Sequence, residues 1–178
     1  MDLGVISVRY ARALLKSSVL SHQEDKVYAD MQNMMDNYLQ VPQLRTTIDN
    51  PMLDGAKKKM VLHAACGDKP TDLTKRFVNL VVDEGREQDM QFMAASYITL
   101  YRQQKNIISG KLITAAAVDA KTERKMKQMV ESRTNGTVEF QTEVNPDIIG
   151  GFILEYDTYR MDASVQRQLR DILTQLKK

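Results

Sequence analysis

Apolar residues recur at the spacing of a single helix face throughout the first part of the chain. Positions three, four and seven apart lie on the same side of an α-helix, so each such stripe predicts an amphipathic helix. Short helices joined by short loops pack side by side, and the sequence therefore predicts an antiparallel bundle of five or six helices over residues 1–105. The four clearest stripes are Ile6, Tyr10, Ala13, Leu14 and Ser17; Val27, Met31, Met34, Met35 and Tyr38; Leu73, Phe77, Leu80 and Val81; and Met90, Met93, Ala94, Tyr97 and Tyr101.

Turn-forming residues separate these stripes at the places where the helices should end. Proline and glycine interrupt helices most strongly, and here they occur at Pro42, Pro51, Gly67, Pro70 and Gly85. Either Thr71 or Asp72 can cap the helix that carries Phe77, and Asp54 can cap the helix through "GAKKKMVLHAAC".

The period of the pattern changes beyond Lys105. The segment "NIISGKLITAAAVDA" is rich in β-branched residues and has no helical stripe. The segment "GTVEFQTEV" alternates, which is typical of a half-buried strand with Val138, Phe140, Thr142 and Val144 on one side. "GGFILEY" predicts a third strand, with "YRM" as its continuation after a tight turn at residues 157–158.

Two helices accompany these predicted strands. One is predicted from Lys121 to Arg133 and is opened by Thr122, and the other runs from Ala163 to Leu176. Asp162 and Ser164 precede the last helix, where either side chain can cap it. The predicted fold is therefore mainly α, with an N-terminal antiparallel helical bundle (residues 1–105) followed by a small α+β domain (residues 106–178).

The composition is that of a globular protein without a strongly charged segment. Hydrophobic residues make up 43% and charged residues 27%, and the net charge of +2 is spread over both halves. So small a surplus gives little attraction for the phosphates of a nucleic acid. No apolar run reaches the roughly 18–20 residues that span a bilayer, and the N-terminus lacks the pattern of a signal peptide.

Residues that could carry catalysis or bind a metal are few and scattered. His22 and His63 are the only histidines, and Cys66 is the only cysteine, which leaves no metal-binding cluster and no disulfide. His63 precedes Cys66 by three residues, but no oxyanion-stabilising motif accompanies them, which favours a buried, unreactive thiol. The lysines at 57–59 fan around a helix and form no stripe. The sequence therefore predicts no enzyme, cofactor, metal or small-molecule ligand.

The adjacent Gly150 and Gly151 allow two interpretations. Glycines can cradle a phosphate, but such loops lead into a helix, whereas these lead into a strand and lack the lysine and hydroxyl of a P-loop. Glycines also allow two backbones to pass closely, or a residue to adopt a positive φ. We favour the second interpretation and expect a close backbone approach at this pair.

On the residues alone, two classes of function remain. One is a linker that holds two protein partners through two distinct modules. The other is a helical nucleic-acid-binding or regulatory adaptor, which is favoured only by the sequence pI of about 8.6. The even distribution of charge argues against the second.

Three blocks of the sequence resemble the delta subunit family of F-type ATP synthases, which is similar to the mitochondrial oligomycin-sensitivity-conferring protein. The resemblance covers essentially the whole chain, and its last block is the most specific in order and spacing. The blocks are "SVRYARALL", with Arg9, Tyr10, Ala11, Ala13 and Leu14; "FVNLVVDEGRE", with Phe77, Leu80, Val81, Gly85 and Arg86; and "VNPDIIGGFILEYDTYRMDASVQRQLRDIL", with Ile148, Gly150, Gly151, Phe152, Asp162, Ser164, Val165 and Leu169.

The resemblance implies a non-catalytic stator subunit of a proton-translocating ATP synthase. Its helical bundle would bind N-terminal segments of the alpha subunits on the catalytic head, and its C-terminal domain would bind the b subunits of the peripheral stalk. Its place would be the cytoplasmic face of the bacterial cell (inner) membrane, where it would be attached only through the complex.

The first two blocks also suggest where the head would bind. The candidate interface residues are Arg9, Tyr10, Arg12, Ala13, Phe77, Leu80, Val81 and Arg86. For the apolar members a place in the structural core is the competing interpretation. Arg86 is expected on the surface, and Gly150, Gly151, Asp162 and Ser164 are expected to be structural.

Overall fold

The backbone divides near Tyr101 into an N-terminal unit (residues 1–101) and a C-terminal unit (residues 102–178). The computed structural model describes residues 3–134, 136–156 and 159–176. Helices predominate in this part of the chain, and a small four-stranded sheet lies in its second half, so the predicted fold class is confirmed. The first six helices are α1 (Leu3–Leu20), α2 (Glu24–Gln40), α3 (Pro42–Asp49), α4 (Gly55–Ala65), α5 (Asp72–Asp83) and α6 (Met90–Gln104), with a short 3-10 helix at Glu87–Asp89.

The core of the N-terminal unit is built from the predicted apolar stripes and is rich in methionine. Flexible methionine side chains fill the irregular space between packed helices. Tyr97 is also fully buried, and its hydroxyl shares a 2.9 Å hydrogen bond with the Ser18 hydroxyl of α1. The largest fully buried side chains of this unit are Tyr97, Met31, Met34, Ile48, Leu62, Met90 and Met93.

A buried carboxylate joins two helices of this unit. Asp30 of α2 is 7% exposed, and it accepts hydrogen bonds from the Thr71 backbone N–H (2.9 Å) and the Thr74 hydroxyl (2.7 Å). Thr71 in turn caps α5, because its hydroxyl accepts a 3.1 Å hydrogen bond from the Thr74 N–H. Of the two predicted caps for this helix, Thr71 is therefore the one used.

The other predicted cap in this unit is wrong. Asp54 occupies the position before α4, but its carboxylate accepts no hydrogen bond from the start of the helix. The nearby stabilising contact is instead an ion pair between the Nζ of Lys58 and Oε1 of Glu87, at 2.6 Å, with both side chains largely buried. This pair ties α4 to the 3-10 helix that precedes α6.

The C-terminal unit is a mixed sheet with two helices. Its strands are β1 (Ile107–Thr114), β2 (Thr137–Val144), β3 (Phe152–Tyr156) and β4 (Tyr159–Asp162), and its helices are α7 (Ala120–Thr134) and α8 (Val165–Leu176). The spatial order is β2-β1-β3-β4, in which β1 and β2 are parallel and the other pairs are antiparallel. Helix α7 provides the crossover that a parallel pair requires.

The core of this unit lies on one face of the sheet. Leu112, Val138 and Leu154 come from three neighbouring strands and pack with Val130 of α7. Residues two apart point to the same side of a strand, so Thr142 and Val144 belong to the same face as Val138. Both are exposed, which limits the predicted half-buried pattern of β2 to its first half.

The start of α7 also differs from the prediction. Thr122 does not open the helix; Asp119 does, because its carboxylate accepts a 3.1 Å hydrogen bond from the Thr122 N–H. The predicted tight turn at residues 157–158 lies outside the described residues.

The paired glycines bring the segment before β3 against the segment before α8. Gly151 has φ of +75°, and a Cβ atom there would lie 2.2 Å from the carbonyl oxygen of Ala163. At Gly150, a Cβ would lie 3.1 Å from Cγ2 of Val165, and the Gly150 carbonyl accepts a 3.0 Å hydrogen bond from the Val165 N–H. This is a close approach of two backbones that also requires a positive φ at the second glycine.

Ser164 and Asp162 complete this junction. The Ser164 hydroxyl caps α8 by accepting a hydrogen bond from the Arg167 N–H (3.2 Å). Asp162 orients that cap, because its Oδ1 accepts from both the Ser164 hydroxyl (2.6 Å) and the Ser164 N–H (3.0 Å). These hydrogen bonds hold the pKa of Asp162 below its ordinary value.

We predict that Asp30→Ala lowers the free energy of unfolding of the N-terminal unit by about 1–3 kcal/mol, because it leaves the buried Thr71 N–H and Thr74 hydroxyl without their acceptor. Urea unfolding followed by circular dichroism measures the change. Asp36→Ala is the matched control, since Asp36 is an exposed aspartate on the same helix. Equal stability of the two variants would contradict a structural role for the Asp30 carboxylate.

We predict that Gly151→Ala lowers the free energy of unfolding of the C-terminal unit by more than about 3 kcal/mol, from backbone strain and overlap with the Ala163 carbonyl. Gly150→Ala is the control; it meets only a side-chain methyl and needs no positive φ, so its effect should be about 1 kcal/mol. Hydrogen exchange of the β3 amides measures both. A Gly151→Ala protein of unchanged stability that has lost a bound phosphate would support the cradle interpretation instead.

Candidate functional site

An apolar groove runs between α1 and α5 of the N-terminal unit. Its volume is about 220 Å³. Each helix contributes residues at i, i+3, i+4 and i+7, which is the spacing of one helix face. The lining residues are Tyr10, Ala13, Leu14 and Ser17 from α1, and Leu73, Arg76, Phe77 and Leu80 from α5.

Four of the eight predicted interface residues line this groove. Tyr10 and Ala13 of α1 face Phe77 and Leu80 of α5, and the rings of Tyr10 and Phe77 meet edge to face with centroids 6.5 Å apart. Leu80 is 50% exposed, so half of its surface is available to a partner.

Phe77 and Val81 are more buried than residues that contact a partner need to be. Val81 is fully buried and Phe77 nearly so, and Val81 is therefore a core residue that no partner can reach. Phe77 still forms part of the groove wall, where its ring supports Tyr10. The core interpretation thus holds for Val81 and partly for Phe77.

Arg86, which is expected on the surface, is only partly exposed and packs on Tyr10. Its guanidinium carbon lies 5.4 Å from the centroid of the Tyr10 ring, and its side chain is half-buried. A guanidinium over an aromatic face is a stabilising cation–π contact. Arg86 therefore holds Tyr10 in place at the groove from the C-terminal side of α5.

Arg9 and Arg12 lie on a neighbouring face of α1, beyond the rim of the groove. Both are exposed. The exposed residues Val5, Val8 and Lys16 line the same face. Ala13 lines both this face and the groove. Neither lining contains an acidic side chain among the described residues, so this side of the bundle is apolar with a basic border.

The predicted interface omits four residues that line the groove, although three of them already belong to the apolar stripes. Leu14, Ser17, Leu73 and Arg76 occupy the same helix faces as the predicted residues. The i, i+3, i+4, i+7 stripes identified both faces, but periodicity alone does not show which two stripes lie beside each other.

A cavity of the C-terminal unit lies over the polar face of the sheet. Its volume is about 430 Å³, and Arg102, Lys111, Glu139 and Glu155 are among its lining residues. Arg102 pairs with Glu139 at 2.6 Å and Lys111 with Glu143 at 2.5 Å. Because the cations already have anionic partners within the sheet, this cavity has no surplus charge to select a ligand.

The chemistry of Cys66 is that of a buried thiol. It donates a 3.2 Å hydrogen bond to the Leu62 carbonyl, and desolvation, with a smaller contribution from Asp30, raises its pKa to about 12. Within residues 3–134, 136–156 and 159–176, no group of three or more histidine, cysteine, aspartate or glutamate side chains could hold a metal ion. None of the helices in these ranges has the length and apolar character to cross a bilayer.

Comparisons with known proteins agree over nearly the full chain. The family model of the ATP synthase delta (OSCP) subunit matches residues 6–176. The chain is 44% identical to ATP synthase subunit delta of Phocaeicola vulgatus over 98% of this chain and 95% of that protein. It is 41% identical to ATP synthase subunit delta of Parabacteroides distasonis, over 99% and 98% of the two chains.

A solved structure has the same fold. A chain of the mitochondrial ATP synthase hexamer of Toxoplasma gondii superposes with a TM-score of 0.67 at 21% identity, covering 97% of both chains.

These matches support the linker interpretation and not the nucleic-acid or regulatory alternative. Subunits of this kind are non-catalytic parts of the ATP synthase stator, so the prediction that the chain is not an enzyme is confirmed by its family. The chain belongs to the ATP synthase delta (OSCP) subunit family.

Proposed function

We propose that this delta subunit joins the catalytic head of the ATP synthase to its peripheral stalk through two separate contacts. The N-terminal module (residues 1–105) binds N-terminal segments of the alpha subunits, and the C-terminal module (residues 106–178) binds the b subunits. The subunit works at the cytoplasmic face of the bacterial cell membrane, to which it is attached only through the complex.

The observation that carries the proposal is the apolar groove between α1 and α5. A groove walled by two parallel stripes of i, i+3, i+4 and i+7 residues fits the apolar face of a third helix. Leu80 and the edge of Tyr10 offer the contact area, and the Arg86 guanidinium holds the Tyr10 ring in position. The groove therefore suits an amphipathic segment of the kind proposed for the alpha subunits.

The basic residues beside the groove would affect how fast the partner helix binds and in which register. Arg9, Arg12 and Lys16 are exposed beside the groove, and Arg76 lines it. Acidic side chains flanking the apolar face of the bound helix would meet these cations at the rim, where charge mainly raises the association rate and fixes the register.

A two-ended linker meets the mechanical need of a rotary machine. Rotation of the central shaft exerts torque on the head, which would turn with the shaft unless it were held to the membrane part. Two modest contacts carried by one chain act at high effective concentration, which can raise the overall affinity roughly 10²–10⁴-fold. Coupling of proton flow to ATP synthesis then depends on both contacts and on no chemistry within this subunit.

We predict that Leu80→Gln weakens binding of the full-length protein to the purified catalytic head about tenfold, because it removes apolar area from the groove and adds an amide that the bound helix must desolvate. Titration calorimetry measures the affinity. Leu39→Gln is the matched control, because Leu39 is also an exposed leucine but does not line the groove.

Both variants should keep the melting temperature of the native protein, since both leucines are at least half exposed. Unchanged head binding by Leu80→Gln, or an equal loss in both variants, would place the head contact elsewhere. Charge reversal at Arg86 is a poorer test, because it removes the contact that positions Tyr10.

A further inference from the structure

The last helix carries an apolar stripe that the other residues described by the structure leave exposed. Every residue of α8 from Gln166 to Leu176 is exposed. The four large apolar side chains on one face of this helix expose between 47% and 78% of their surface. They are Leu169, Ile172, Leu173 and Leu176. Contiguous exposed apolar side chains of this kind mark an interaction surface.

The spacing of this stripe identifies the shape of its partner. Val165, Leu169, Ile172 and Leu176 are four, three and four residues apart. This is the a/d spacing of a coiled-coil seam, whose side chains fit between those of a second helix that runs alongside. A groove or a sheet edge does not require this spacing.

The residues that border the stripe favour a protein helix over a lipid surface. On a helical wheel, Gln166 flanks it on one side and Gln168 and Gln175 on the other, while the charged Arg167, Arg170 and Asp171 lie on the remaining face. Helices that lie in a membrane interface carry many lysines or arginines on their polar face, whereas on α8 two arginines share that face with an aspartate and neutral amides border the stripe. A border of neutral amides instead suits a protein helix whose flanking positions are also uncharged.

The turn that precedes β3 displays a second apolar side chain under strain. Ile149 has φ of 69° and ψ of −41°, and the Gly150 N–H donates a 2.8 Å hydrogen bond to the Ile148 carbonyl. This is a γ-turn of the rare, strained kind, in a conformation that β-branched residues avoid. Ile149 is nevertheless 62% exposed, so the described residues bury little of its side chain to offset this strain.

Ile149 is next to the first turn of α8 in space. The carbonyl of the following residue, Gly150, accepts a hydrogen bond from the Val165 N–H at the start of that helix. The short 3-10 helix at Pro146–Ile148, which leads into Ile149, also packs against α8. The exposed isoleucine thus lies at the N-terminal end of the uncovered stripe.

We propose that Ile149 and the α8 stripe form one docking surface for a single α-helix of the peripheral stalk, which packs along Leu169, Ile172 and Leu176 in coiled-coil fashion with neutral flanking residues. This inference rests on the proposed binding of the b subunits by the C-terminal module. It names the element that makes the contact and the geometry of the bound segment.

The small size of the stripe explains why its occupant comes from the same complex. A helix of twelve residues is about 18 Å long and offers a few hundred Å², well below the roughly 1,200–2,000 Å² of a stable pair of free proteins. Pairing of two α8 helices from separate copies would therefore dissociate at ordinary concentrations. A stalk helix held nearby through the head contact is at high effective concentration and needs no larger area.

The test measures binding of the full-length protein to the soluble part of the b dimer by calorimetry, with head binding measured in parallel. The double variant Ile172→Gln/Leu176→Gln should weaken b binding at least tenfold. It removes from the seam two aliphatic side chains, each at least half exposed in the free subunit, that a bound helix would cover. Head binding and the melting temperature should not change. Thr174→Gln is the control on the opposite face of α8 and should bind b normally.

Ile149→Gly separates a binding role from a structural one. Glycine adopts a positive φ without strain, so the variant should melt at the same or a higher temperature than the native protein. Its affinity for the b dimer should nevertheless fall several-fold. A lower melting temperature together with normal b binding would make Ile149 a structural residue and overturn its part in the surface.

The remaining outcomes distinguish this inference from the proposed function. Normal b binding by the double variant and by Ile149→Gly would overturn the inference and leave the proposed function intact. Native protein that binds the head but not the b dimer would contradict the proposed stalk contact itself. If the native protein sediments as a dimer and the double variant does not, the stripe binds a second copy. If the native protein binds phosphatidylglycerol vesicles and the double variant does not, the stripe binds a lipid surface. Either result would overturn the inference.

Discussion

The direction of the last helix is set by the absence of a Cβ atom at Gly151. The backbone there passes so close to the Ala163 carbonyl that a methyl group has no room, and hydrogen bonds from Ala163 to Phe152 and from Val165 to Gly150 lock the two segments together. Helix α8 is thus held by the backbone at its first turn and by the Ser164 cap. Because its anchor uses so little apolar surface, its apolar stripe remains free along its length.

In the N-terminal unit, too, polar contacts fix the elements while an apolar surface stays partly exposed. These polar contacts join neighbouring helices. Asp30 joins α2 to the start of α5, Asn37 donates a 3.0 Å hydrogen bond to the Ala65 carbonyl at the end of α4, and Lys58 pairs with Glu87. Such buried contacts fix one arrangement of the helices more than they add net stability. The facing sides of α1 and α5 can therefore stay partly open without loss of a defined bundle.

Much of this fold could be predicted from the sequence, because its helices and strands obey simple periods. The stripes through Met31, Phe77 and Tyr97 predict buried helix faces, and all three residues are buried. The outcome was poorer at one helix boundary, where Asp119 and not the nearby Thr122 caps α7. It was also poorer where a tertiary contact decides, because the cation–π contact of Arg86 with Tyr10 joins residues far apart in sequence. Periodicity identified the α8 stripe as apolar, but it could not show that the stripe stays exposed among the residues that the structure describes.

The strain at Ile149 shows how stability and assembly compete in a subunit without chemistry of its own. If the C-terminal unit were selected for stability alone, glycine or asparagine would suit position 149, since both tolerate a positive φ far better than a β-branched residue. An isoleucine that is strained and exposed costs free energy in the isolated subunit, both from its backbone and from its contact with water. A partner that covers the side chain removes the hydration part of this cost. For a stator subunit such a partner belongs to the assembled complex, so the isolated subunit gives up some stability to hold an apolar side chain ready for binding.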